Sequence, residues 1–65
     1  MDFIQRLKQE HLELSHKTDA LSDFIDSDKF LSIKETQKTL LKIQLFAMGS
    51  YLSCLNARIK DLETI

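Results

Sequence analysis

The stretch SIKETQKTLLKIQLFAMGSYLSCLNARIKDL, residues 32–62, decides how this chain folds. Within it Leu41, Leu45, Met48, Leu52, Leu55, Ile59 and Leu62 recur at alternating intervals of four and three. That rhythm returns a side chain to the same face of an α-helix for about six turns, and every return is a large apolar residue. At its start, Ser32 stands three residues before Glu35, the pattern in which a serine caps the first helical amides and a glutamate reaches back. The pattern predicts a helix over about residues 33–63.

Towards the N-terminus the rhythm is interrupted by Asp26-Ser27-Asp28-Lys29, a cluster of turn formers. This predicts a turn over about residues 26–32, with Phe24, Phe30 and Leu31 plugging that end of the molecule. Before the turn, Ile4, Leu7, His11, Leu14, Thr18, Leu21 and Ile25 keep the same spacing. Asp2 and Gln5 mark the start of this first helix, over about residues 3–25. A connection this short requires the two helices to pack antiparallel. Aligning the seams pairs Thr18 with Leu41, Leu14 with Leu45, His11 with Met48, Leu7 with Leu52 and Ile4 with Leu55. The sequence thus reads as an all-α antiparallel two-helix hairpin, one domain over residues 1–65.

A hairpin of 65 residues buries too little surface to be stable alone. A single cysteine, Cys54, excludes an intrachain disulfide. The two histidines, His11 and His16, are five apart, roughly 140° around a helix, and Cys54 lies far from both in sequence, so neither a metal nor a cofactor is expected. Self-association is the remaining remedy, and helix 2 is built for it. Ile43, Phe46, Ala47, Gly49, Ser50, Ser53, Cys54 and Ala57 lie off its seam and are apolar or small, while Ile59, Leu62 and Ile65 outrun helix 1. A helix that is apolar all round is buried all round. Phe46, Gly49, Ser50, Ser53, Ile59 and Leu62 are the residues expected at the interface of a homo-oligomeric helical bundle.

Composition narrows the function. The net charge of −1 argues against DNA binding. No apolar run approaches the length of a membrane span, and the N-terminus lacks a secretory signal, so a cytoplasmic protein is expected. Catalysis has little to use, because Cys54 and His11 project from different faces and the aspartates around the turn read as a solvated surface. Beside the seam, however, Gln37, Gln44, Tyr51 and Arg58 form one column, facing Phe3, Glu10 and Lys17 on helix 1. Such a column serves either as the rim that sets partner choice in a helical oligomer or as a ligand site. Tyr51, Arg58, Gln44 and the nearby Arg6, Lys8 and Phe3 supply what a nucleotide needs: an aromatic face for the base, cations for phosphate and an amide for base edges.

The pattern Phe24-Ile25-x4-Phe30, followed by Gln44-x3-Met48-x2-Tyr51-x3-Leu55-x2-Arg58-Ile59, resembles a family of small phage and prophage helical-hairpin proteins. Arg6-Leu7-x2-Glu10 and Leu14-x2-Lys17 extend the likeness into helix 1. That family is related to the hairpin domain of phage anti-CBASS and anti-Thoeris sponge proteins. The resemblance implies a homo-oligomer that sequesters a nucleotide signal of bacterial immunity inside the infected host, without cleaving it. By position it implies roles for Gln44, Tyr51 and Arg58. An alternative from the residues themselves is a small module that binds a host or phage protein through helix 2.

Overall fold

A computed structural model describes residues 2–64, and all of its secondary structure is helical. Three helices follow in chain order: α1 (Phe3–Ile25), the single-turn α2 (Asp28–Leu31) and α3 (Glu35–Glu63). Asp2 caps α1, its carboxylate accepting a 2.7 Å bond from the Gln5 amide. The chain turns at Asp26 and Ser27, where the Asp26 amide donates to the Ser22 carbonyl at 3.2 Å and the Ser27 amide to the Phe24 carbonyl at 3.0 Å. The two long helices run beside each other. Lys8 near the start of α1 pairs with Glu63 at the end of α3 across 2.8 Å, and the Arg58 guanidinium lies 6.0 Å from the Phe3 ring.

The seam on α1 is the face it buries. Ile4, His11, Leu14, Thr18, Leu21 and Ile25 are half-buried and Leu7 is buried. Thr18 is tolerated on that face because its hydroxyl donates to the Leu14 carbonyl at 2.7 Å, which removes the cost of an unpaired polar group. On α3 the seam from Leu41 to Ile59 is likewise the covered face, ending in Leu55, which is fully buried, and Ile59.

The register differs from the simple alignment of seams. Leu7 forms the buried cluster with Leu55 and Ile59, and Leu14 packs against it. Leu7 therefore meets α3 roughly one helical turn beyond its expected partner Leu52. Ile59 is accordingly not left over for a second chain: it belongs to the core of this one. Ile65, assigned with it, lies outside the described residues. The cause of the shift is α2. Phe30 is buried at the turn, edge-on to Phe24 with ring centroids 6.1 Å apart, and the Lys42 ammonium stands 5.7 Å from its ring. This added layer at the closed end displaces α3 along α1. Leu31, expected to share the plug, points outward with 69% of its surface exposed.

One other expectation is corrected. Ser32 does not cap α3: its hydroxyl donates to the Lys29 carbonyl and closes α2, and α3 starts at Glu35 after Lys34. The Glu35 side chain bonds instead to Lys38 at 2.9 Å. Gly49 is helical and meets no close neighbour, since a methyl group there would contact nothing within 4 Å. Its lack of a side chain is not required by any packing within this chain.

Candidate functional site

The concave feature of the molecule is an open cleft of about 410 Å³ at the end where α1 begins and α3 approaches its close. Its walls are Phe3, Arg6, Leu7, Glu10 and Arg58. The local sequence explains why these five converge. Phe3, Arg6 and Glu10 recur at intervals of three and four on α1, which stacks them along one side of that helix. Leu7, held in the buried cluster, forms the floor and fixes the rotation of α1. Arg58 is placed by Leu55 and Ile59, which anchor α3 immediately before and after it.

The cleft is cationic and aromatic. Two guanidinium groups and one carboxylate leave it a net charge of +1. Arg58 covers the Phe3 ring at cation–π distance, while Phe3 keeps 53% of its surface in contact with solvent. An exposed phenyl ring held beside two planar cations is an arrangement that stacks a flat heterocycle and binds phosphate oxygens bidentately. Glu10 adds an acceptor at the same site.

Of the residues singled out in the sequence, Phe3, Arg6 and Arg58 are brought together. Lys8 is not in the cleft, because its ammonium is engaged by Glu63 on the neighbouring surface. Tyr51 and Gln44 lie exposed further along α3 and do not line the cleft, the Gln44 amide donating weakly to the Met48 sulfur at 4.0 Å. Sequence reasoning noted Glu10 as part of the flanking column but not as a wall. The signal was present: Glu10 is four residues from Arg6 and three from Leu7, on the side that faces Arg58.

Elsewhere the surface carries large apolar groups, among them Phe46 at 78% and Ile43 at 58% exposure on α3. Cys54, expected as a packing residue, is exposed on the same side of α3. Among the described residues no cluster of three or more His, Cys, Asp or Glu side chains could hold a metal ion. Among the described residues no helix is long and apolar enough to cross a membrane.

Fold and site together define a small all-helical protein whose distinguishing feature is an open cleft with an aromatic face and paired guanidinium groups. The chain belongs to the Sequestin family, whose model matches residues 1–61. It is similar to an uncharacterized 7.5 kDa protein from the denB-rIIB intergenic region of Enterobacteria phage T4. The two are 43% identical over 58 residues, covering 89% of this chain and 91% of the relative. No solved structure matches the chain.

Proposed function

We propose that this protein is a phage sponge that binds and sequesters a nucleotide messenger of bacterial anti-phage immunity, either a cyclic nucleotide or an ADP-ribose-type signal. The observation that carries the reading is the cleft formed where Arg58 covers Phe3 beside Arg6. Phe3 stacks the base, Arg6 and Arg58 take the phosphate oxygens, and Glu10 accepts from ribose hydroxyls or a base amino group. Family membership supports sequestration over turnover, and the likeness to a phage protein supports a ligand met in an infected cell. Release of bound nucleotide in chemically intact form distinguishes a sponge from an enzyme.

The working form is an antiparallel hairpin assembled into a homo-oligomer. Among the described residues only Leu7, Phe30, Leu55 and Ile59 are buried, a core too small for a lone chain. The test is a thermal-shift panel of cyclic di- and trinucleotides and cyclic ADP-ribose isomers. A ligand present at a hundred times its Kd stabilises by about 2.7 kcal/mol, which raises Tm by roughly 10 °C or more in a chain of this size. No shift with any nucleotide at millimolar concentration removes the proposal.

The exposure of Phe46 and Ile43 favours a second reading, in which α3 receives a helix of a host or phage protein. Light scattering separates the two. A discrete homo-oligomer supports the sponge, whereas ill-defined association resolved by a partner helix supports the interaction module.

A further inference from the structure

A strip of uncovered side chains on α3 reads the same from either end. At about 100° per residue, Leu40, Gln44, Tyr51, Arg58 and Leu62 project within about 40° of one another, beside the buried seam. All five are exposed, Leu40 at 52%, Tyr51 at 45% and Leu62 at 41%. When two copies of α3 lie antiparallel about an axis through Tyr51, Leu40 of one meets Leu62 of the other. In the same register Gln44 meets Arg58, and the two Tyr51 rings meet each other. Apolar thus faces apolar, amide faces guanidinium, and aromatic faces aromatic. A parallel pairing would set Arg58 against Arg58, a like-charge contact. No charged residue occurs from Ile43 through Ala57, so the central part of the strip loses no ionic hydration on being covered.

Surface area points to the same occupant. The chain exposes 5069 Å², whereas a compact monomer of its 7.6 kDa exposes about 4300 Å². The excess, about 800 Å², is what one partner contributes to an interface of standard size. Its shape agrees, with principal extents of 49 × 17 × 14 Å, a rod with one long side to cover.

Arg58 belongs both to this strip and to the cleft. We infer that a second copy docks antiparallel on the Leu40–Leu62 strip and that its Gln44 completes each cleft, giving two equivalent sites per pair. The assignment rests on the nucleotide reading for its ligand but not for its pairing. The Gln44 amide, a donor and an acceptor on one group, reads a base edge while Phe3 takes the base face.

Two experiments test this on the full chain. In a Cys54→Ser background, Tyr51→Cys and the double variant Leu40→Cys/Leu62→Cys are oxidised and run without reductant, helicity being verified first. Both yield mainly covalent dimer, because facing positions fall within disulfide reach. Ser53→Cys, on the far side of α3, stays monomeric. Monomer from both strip variants, or equal cross-linking through Ser53, overturns the pairing. In the second experiment Gln44→Ala and Arg58→Ala proteins are assayed with cyclic di-AMP and cyclic ADP-ribose, separately and after being unfolded and refolded together. Each alone loses binding, and the mixture regains about a quarter of the wild-type sites, since half the pairs are mixed and each carries one intact site of two. No recovery in a mixture whose wild-type parent binds overturns the shared site. Cross-linking through Tyr51 by a protein that binds neither probe counts against the nucleotide reading and sustains the pairing. Binding by a chain that stays monomeric does the reverse.

Discussion

Leu55→Ala tests the architecture most directly. Leu55 is the one large side chain with no exposed surface, and it sits between Leu7 and Ile59 in the buried cluster. Truncating a fully buried leucine costs about 2.7–5.0 kcal/mol, the upper part arising where surroundings cannot collapse into the space. Two helices joined at one end can close partly over the gap, which places this site near about 3 kcal/mol. A single core of this size supplies no more than about 3–5 kcal/mol in total, so the variant is left with no more than about 2 kcal/mol and its urea midpoint falls to less than half the parent's. Helical circular dichroism followed through urea titration reads this at one fixed protein concentration, because association adds its own stabilisation. Leu31→Ala is the control: at 69% exposure it changes stability by less than about 0.5 kcal/mol. Leu52→Ala falls between the two, since Leu52 is only half-buried. A loss at Leu55 below about 1 kcal/mol, or a larger loss at Leu52, would refute the register described above.

Three other outcomes are expected. Gly49→Ala stabilises the chain by about 0.5–1 kcal/mol, because the helix gains propensity and the methyl meets open space; thermal melts showing destabilisation would place a second helix against that residue. Phe3→Ala and Arg58→Ala each weaken nucleotide binding at least tenfold, about 1.4 kcal/mol, while far-ultraviolet dichroism stays unchanged, as titration calorimetry with the best nucleotide of the panel reads. The hydrogen bond from Lys38, followed by the charge of the same ammonium, holds the Glu35 carboxyl below its usual value of 4.5. A depressed folded value means the contribution is present above 4.5 and is lost as pH falls through the folded value. Carboxyl NMR titration should therefore show the Glu35 midpoint rising in Lys38→Met.

Much of this was legible in the sequence. The four-three rhythm identified the covered face of both long helices, because burial on a helix follows the 3.6-residue period irrespective of its neighbour. Register was less legible for the same reason. Leucine, isoleucine or methionine at every seam position of α3 lets α1 slide by a turn and still meet apolar partners. What selects the register is Phe30, and its burial depends on α2, a single turn whose residues read simply as turn formers. Ser32 illustrates the same limit, since serine three residues before glutamate satisfies the capping pattern while its hydroxyl closes the preceding turn. At the cleft, Phe3 and Arg58 were recognisable as facing members of flanking columns. Glu10 was in the same column, but its place in the wall depended on where α3 ends up. Lys8 was drawn away by Glu63, a residue at the far end of the sequence that local spacing does not connect to it.

The buried cluster of Leu7, Leu55 and Ile59 lies where α1 starts and α3 finishes, remote from the turn. Joining Leu7 to Leu55 closes a loop of about three-quarters of the chain, at an entropic cost of roughly 2 kcal/mol beyond that of local contacts. The Phe24–Phe30 contact closes only a few residues and has almost no such cost. Folding then proceeds by zipping from the turn outward, with the end that holds the cleft the last to assemble and the first to open. Substitutions around Phe30 act on the rate of folding, whereas those around Leu55 act on the rate of unfolding. A molecule held in the cleft bridges α1 and α3 beyond their last zipped layer, so its occupancy lengthens the life of the folded chain through the unfolding step.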